Sequence, residues 1–423
     1  MNIKTIVLLY LTLSTVCSAE LFEHPHRAFI CVPVADLIGQ PINTFKIDND
    51  TTTAYQKMPI SWGPNTSDKF YCPRIYQGLM HEAVALLGYE DDEAIVAIFN
   101  MFYLNDEHPQ EPQVVYYTLK SNIIDVDEEL AKHRSPIVLP QPISFAQVAH
   151  KKPTNIVTLT LPYHDPITEQ TYSAGTRFVA TGSLAQSYEV WTYDMLEKTF
   201  RHTTLPLNIC MPSTDTTKQT QINNFVGLLH LWTNLPDGFI PLVWGGCSFN
   251  NVCATDTYTA QTTTYTDGSP VTYWNREGTQ SPFSGFDTSA LIARAAQICG
   301  IPYYFRNTYT AEKCLRTLGP NEPICAGDLI WFPGYLTAIT SLENATVVGA
   351  IAYSAGYGKV FEAPINTVVS NIHTIDELRD AYINQTPLEL VDAQGNKLRT
   401  IDTFKILKLE SAWDFAEHAM LGV

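Results

Sequence analysis

The sequence is short of positive charge. Its 26 lysine and arginine residues stand against 43 aspartate and glutamate residues, which gives a formal net charge of −17. A protein that binds nucleic acid needs a basic surface to neutralise phosphates, so this balance argues against a nucleic-acid partner. Apolar residues make up 45% of the chain and charged residues 16%. That composition is typical of a folded globular protein and excludes a disordered one.

The chain also lacks a long apolar run and a paired cysteine motif. Beyond its N-terminus, no stretch approaches the roughly 20 apolar residues that a transmembrane helix needs. None of the nine cysteines is arranged as Cys-x-x-Cys, so a structural zinc site is not indicated. We therefore predict no transmembrane segment, no metal and no cofactor.

Residues 1–19 have the features of a secretory signal peptide. Lys4 gives a positive start, Ile6–Leu13 is a short apolar run, and small residues precede a predicted cleavage site after Ala19. Acylation of Cys17, as in a lipoprotein, is the alternative. Either way we expect an exported protein, periplasmic or extracellular.

Short strand-like segments dominate the region after the signal peptide. Short strands at regular spacing are typical of a small barrel, and they predict one domain over residues 20–135 and a second over 143–205. The proline-rich span Pro136–Pro142 predicts the linker between them. The strand-like segments are 27–41, 82–87, 94–99, 114–119, 155–161, 172–179 and 188–193.

Residues 206–423 predict an α+β domain. The apolar spacing of Thr288–Cys299 predicts a helix that ends at Gly300, with Asp287 or Thr288 as its cap. Residues 250–280 are poor in apolar residues and predict a surface loop or an irregular hairpin. The further expected elements are strands at 328–332, 336–340 and 346–352, a helix from a capping box at 374–377, and a hairpin that pairs 388–392 with 404–409.

Three motifs in this region occur in a fixed order. They are Pro241-Leu-Val-Trp-Gly-Gly246, Phe286-Asp-Thr-Ser-Ala-Leu291 and Gly327-Asp-Leu-Ile-Trp-Phe332. Together they resemble the NlpC-type cell-wall cysteine peptidases, some of which carry bacterial SH3-like domains at their N-terminus. The resemblance implies two SH3-like β-barrels followed by a papain-like NlpC domain, with a helix packed on an antiparallel sheet. Relatives of this architecture cut the γ-D-glutamyl–diamino-acid bond of cell-wall peptides.

The resemblance also places a catalytic triad, and this chain departs from it at every position. Thr288 stands where the relatives have the nucleophilic cysteine, Tyr335 where they have the histidine base, and Gly349 at the third, polar position. A threonine hydroxyl is far less acidic than a thiol, and a tyrosine with a pKa near 10 is a poor base at neutral pH. Asp287 and Ser289 match positions that help to hold the free amine of the substrate peptide in relatives.

We therefore expect no catalytic residues in the usual sense. The leading hypothesis is an exported NlpC-like pseudoenzyme that binds a cell-wall peptide or a protein partner. One alternative is an active hydrolase with a different residue set that includes Cys325. The other is a structural or regulatory module with an empty cleft. The resemblance implies that the segment Trp244-Gly245-Gly246 packs against the helix, so its presence indicates the fold rather than activity.

Overall fold

The computed structural model describes residues 20–58, 72–98, 101–105, 109–132, 143, 145, 155–214, 216–236, 238–251, 258–264, 270–276, 282–350, 358–392 and 395–420. The predicted signal peptide and the predicted linker at 136–142 lie outside the described residues. The described part contains helices and mostly antiparallel sheets.

The first region is built around a seven-stranded antiparallel sheet in the order β3-β2-β6-β5-β4-β1-β7. The predicted segments 82–87, 94–99 and 114–119 correspond to strands of this sheet, whereas 27–41 is two strands because Pro33 interrupts it. The elements are β1 (Glu20–Ile30), β2 (Val34–Ile38), α1 (Thr51–Gln56), β3 (Arg74–Leu79), β4 (Ala83–Glu90), β5 (Glu93–Ala97), β6 (Val115–Leu119), β7 (Ile123–Asp125) and α2 (Val126–Lys132).

The second region contains a five-stranded sheet in the order β13-β12-β11-β8-β14 and a separate hairpin, β9–β10. Since β14 pairs with β8, this sheet continues to residue 212, beyond the predicted end at 205. Its strands are β8 (Ile156–Leu159), β9 (Tyr163–Asp165), β10 (Gln170–Tyr172), β11 (Arg177–Ser183), β12 (Ser187–Asp194), β13 (Thr199–Pro206) and β14 (Cys210–Pro212).

Neither sheet closes into a barrel among the residues that the structure describes, because both strand orders are open. The topology therefore does not confirm the predicted SH3-like barrels. The two sheets do share one feature. In each, a 3₁₀ turn (Lys120–Asn122 or Leu207–Ile209) leads into a short last strand, which returns to pair with the first strand of its region.

The third region packs helices on a five-stranded antiparallel sheet in the order β22-β21-β20-β19-β25. Its elements are α3 (Lys218–Thr233), β15 (Cys247–Ser248), β16 (Tyr258–Thr264), β17 (Pro270–Arg276), β18 (Gly285–Phe286), α4 (Thr288–Ile298), α5 (Thr308–Cys314), β19 (Leu329–Phe332), β20 (Tyr335–Ser341), β21 (Thr346–Ala350), β22 (Val360–Pro364), α6 (Ile375–Asn384), β23 (Leu388–Val391), β24 (Lys397–Ile401), β25 (Lys405–Leu407) and α7 (Ser411–Met420).

Most of the predicted elements of this region are present. Asp287 caps α4, β19 to β21 are consecutive antiparallel strands, and Thr374 and Glu377 form the expected capping box at the start of α6. Within 250–280 the structure has the hairpin β16–β17, which was one of the two predicted alternatives.

The predicted last hairpin is right in its first strand and wrong in its second. β23 pairs with β24, whereas β25 pairs with β19 at the edge of the main sheet. The physical reason lies in burial. Ile406 and Leu407 are fully buried and belong to the core. Residues 397–400 are exposed and mostly polar, so the sequence does not indicate a strand there.

Helix α4 is buried along its whole length and connects the regions. Arg294, which is 0% exposed, donates to Glu82 Oε1 at 2.7 Å, to the Tyr76 hydroxyl at 3.1 Å and to the carbonyl of Cys247 at 3.0 Å. A buried guanidinium is tolerated only when its donors are satisfied. This network holds the first region against α4. Residues of the first region therefore lie beside the start of the helix.

Candidate functional site

A cavity of about 250 Å³ opens at the N-terminus of α4. Its walls come from the first region, the Trp244-Gly245 loop, the first turn of α4, the segment after α4 and the turn between β19 and β20. Four of the five predicted site residues line it, namely Asp287, Thr288, Ser289 and Tyr335.

Thr288 is the first residue of α4. The cap is the residue before it, because the Asp287 carboxylate accepts the backbone N–H of Ala290 at 2.7 Å. The Thr288 hydroxyl lines the cavity and has no hydrogen-bond partner among the described residues. It can therefore meet a ligand, but no described side chain is placed to take its proton.

Tyr335 lies at the start of β20 and is packed rather than free to move. Its ring stacks on Phe332 with centroids 5.0 Å apart, and the guanidinium of Arg399 lies 5.4 Å from its ring centre. Only 6% of the residue is exposed. Tyr335 therefore closes one side of the cavity as a fixed aromatic wall.

Gly349 is the one predicted position that does not line the cavity. It lies in β21 opposite Phe361, and a Cβ at this residue would come within 2.6 Å of Thr337 Cγ2. The space that a third catalytic side chain would need is thus filled by Thr337.

Asp287 and Ser289, the predicted amine-binding residues, are both engaged inside the protein. Asp287 Oδ2 accepts from Arg306 Nη2 at 2.9 Å, and the Ser289 hydroxyl lies 2.9 Å from both Asp287 Oδ1 and the Arg306 carbonyl. The carboxylate also caps α4, so most of its acceptor positions are in use. The structure places both residues at the cavity, and their role in amine binding stays a prediction.

Two arginines of the cavity wall were missed by the sequence analysis. One is Arg306. The other is Arg74, whose Nε donates to Asp36 at 2.7 Å and whose Nη1 donates to the Trp244 carbonyl at 3.0 Å. Burial lowers the pKa of the Arg74 guanidinium, but its interactions with Asp36 and Cys72 together raise that pKa above its ordinary value. No local sequence pattern predicts these two ion pairs, because Arg74 and Arg306 each bind a carboxylate that is distant in sequence.

Trp244 is 47% exposed and lines the cavity together with the first turn of α4. The loop is held by its backbone. Gly245 has a φ of +69°, and any Cβ there would lie 2.1 Å from the Arg74 carbonyl. With the main chain fixed against Arg74, the indole is left at the cavity mouth.

The lining residues that the structure describes include neither a histidine nor a cysteine. Cys72 lies behind the wall, 3.5 Å from Arg74 Nη1, and burial raises the pKa of its thiol, which opposes thiolate formation. Cys325 is exposed near the start of β19, whereas the cavity lies at the end of that strand. The geometry therefore gives no support to a nucleophile at Cys325.

The two histidines that follow Thr288 in the sequence also lie elsewhere. His373 precedes α6 and its ring is 3.4 Å from Asn366, while the ring of His418 contacts the Asp414 carbonyl within α7. In the described part of the chain, no group of three or more His, Cys, Asp and Glu residues converges as a metal site. Nor does that part include a helix with the length and hydropathy of a membrane span.

Comparison with known proteins gives one distant structural likeness. No protein-family model matches the chain, and no curated protein matches it in sequence. Among solved structures it is similar to the crystal structure of an NlpC/P60 family protein from Bacillus cereus ATCC 10987. The two chains are 15% identical, the match covers 81% of this chain and 95% of that one, and the TM-score is 0.47. A likeness at this distance does not assign a family.

Proposed function

We propose that this chain is an exported NlpC-like protein that binds a cell-wall peptide or a protein partner in the cavity at the start of α4 without cutting it. The observation that carries the proposal is the composition of that cavity. It combines the start of α4 with the Pro241–Gly246 motif, yet Thr288 and Tyr335 stand where a thiol and an imidazole would be needed. A set of catalytic residues acts as a unit, so the loss of both leaves no route to an activated nucleophile.

Two further parts of the proposal concern the rest of the chain. The first two regions are SH3-like domains, which the shared return of the last strand to the first supports. Their proposed role is to help recruit the cell wall or the partner. Export is supported by the sequence of residues 1–19.

The test uses the purified protein and the peptide L-Ala-γ-D-Glu-diaminopimelate. Isothermal titration calorimetry should detect binding, and chromatography of the same mixture should recover the peptide intact. Turnover that thiol reagents abolish would instead establish an active cysteine hydrolase. An absence of heat at millimolar peptide would favour a protein partner or a purely structural module.

A further inference from the structure

The charged groups around the cavity are already paired with each other. Arg74 is bound to Asp36, and Arg306 is bound to Asp287, so these four groups sum to no net charge. Both guanidinium groups are nearly inaccessible, with side-chain exposures of 0% and 3%. A charged ligand group that entered the cavity would therefore have to compete with these pairs for its counter-charge, whereas an uncharged polar group would not.

The groups that are open to a ligand are uncharged hydroxyls. The side chains of Thr288, Thr308 and Tyr103 line the cavity, and none of their hydroxyls has a hydrogen-bond partner within the described ranges. Each hydroxyl can both donate and accept a hydrogen bond. Burial raises the pKa of Tyr103, so its hydroxyl keeps its proton at neutral pH. This arrangement suits a ligand that itself carries several hydroxyl or amide groups.

Trp244 adds an open aromatic surface at the cavity mouth. It is 47% exposed, and no described residue stacks on its ring or binds its Nε1. The face of an aromatic ring is electron-rich and attracts the polarised C–H groups on the apolar face of a sugar ring, while the indole N–H can bind a polar group at the edge.

We infer that the cavity takes an uncharged pyranose ring from the glycan part of a cell-wall fragment, stacked on Trp244 and hydrogen-bonded to the three hydroxyls. The inference rests on the proposed function, since it concerns a cell-wall ligand in the same cavity. The size agrees, because about 250 Å³ is below the range for drug-sized ligands and is sufficient for about one ring.

The experiment titrates three forms of the full chain with two probes. The proteins are the wild type, Trp244→Ala and Trp244→Phe, and the probes are the N-acetylglucosamine trisaccharide and the peptide L-Ala-γ-D-Glu-diaminopimelate. Indole fluorescence and calorimetry report binding. We expect the trisaccharide to bind the wild type, Trp244→Ala to weaken it by about tenfold or more, and Trp244→Phe to keep most of the affinity because a ring remains. Thermal unfolding of each variant controls for folding.

The possible outcomes separate this inference from the function on which it rests. Binding of the peptide but not of the trisaccharide would overturn the glycan inference and leave the proposed function standing. Binding of neither would overturn the glycan inference and the peptide-binding form of the proposed function. Trisaccharide binding that Trp244→Ala does not change would place the sugar elsewhere and overturn the inference. Loss in Trp244→Ala with recovery in Trp244→Phe would support it.

Discussion

Helix α4 carries two kinds of polar residue that differ in what they contact. In its middle, Arg294 is fully buried and donates to the first region and to the Cys247 carbonyl. At its start, Thr288 presents to the cavity a hydroxyl that no described residue binds. The difference separates residues that hold the regions together from residues that are open to a ligand. Substitutions of the first kind should therefore lower the free energy of unfolding, whereas substitutions of the second kind should change ligand binding.

The largest effect should come from Arg294→Met. The substitution removes the donor to the Tyr76 hydroxyl and to the Gln77 and Cys247 carbonyls, and it leaves Glu82 with the Tyr76 hydroxyl at 3.3 Å and Arg177 at 3.8 Å. We expect the free energy of unfolding in urea to fall by about 3 kcal/mol. Arg27→Met is the matched control, because Arg27 is 68% exposed and its pair with Asp127 should contribute less than about 1 kcal/mol. Equal losses in the two variants would contradict a connecting role for Arg294.

A smaller loss is expected at the cap of α4. Asp287→Ala removes the acceptor for Ala290 and leaves the buried Arg306 guanidinium without its carboxylate. Since Asp287 is 19% exposed, we expect a loss of about 2 kcal/mol rather than the full cost of a buried pair. The neighbouring Thr288→Ala should change the free energy of unfolding by less than about 0.5 kcal/mol, since its hydroxyl is unbound. A larger loss of unfolding free energy in Thr288→Ala than in Asp287→Ala would contradict this prediction.

Gly349 tests whether β21 has room for a catalytic side chain. Gly349→Ala should lower the free energy of unfolding by about 1–2 kcal/mol, because the new Cβ would meet Thr337 Cγ2 at 2.6 Å. Gly227→Ala is the control. Gly227 lies within α3 with no atom within 4 Å of a new Cβ, so this change should stabilise the protein by up to about 1 kcal/mol. Thr337→Ala should restore part of the stability lost in Gly349→Ala, and no recovery would show that the clash lies elsewhere.

Glu93 is a buried carboxylate that has no cationic partner among the residues that the structure describes. Its oxygens accept from the Tyr55 hydroxyl at 2.7 Å and from the backbone N–H of Ile42 at 3.1 Å. Burial raises the pKa of Glu93 from 4.5 to about 7. A carboxyl whose pKa is raised by folding stabilises the protein fully below its unfolded pKa, and that contribution is lost as the pH rises through the folded pKa.

The free energy of unfolding should therefore decline between pH about 4.5 and about 7 in the wild type. Glu93→Gln, which stays uncharged, should lack this part of the slope. Urea unfolding at half-unit pH steps measures both proteins. Parallel profiles for the wild type and the variant would contradict the assignment to Glu93.

Much of the third region follows from the sequence, because its signals are local. Apolar spacing places α4, and the strand pattern after Gly327 places β19 to β21. The second strand of the predicted hairpin at 388–409 was wrong because β25 pairs with β19, a partner far away in sequence whose choice depends on tertiary burial. The two cavity arginines were missed for a related reason. Arg74 meets Asp36 across 38 positions and Arg306 meets Asp287 across 19, and no local pattern links these partners.

The most direct test of a site that binds without cutting is the release of new amino groups from L-Ala-γ-D-Glu-diaminopimelate. The wild type and Thr288→Ala are compared with a protein-free sample at a peptide concentration where calorimetry shows the wild type to be saturated. We predict that amino groups are released from the peptide at the same rate with either protein as in the protein-free sample. Faster release by the wild type, abolished in Thr288→Ala, would contradict it.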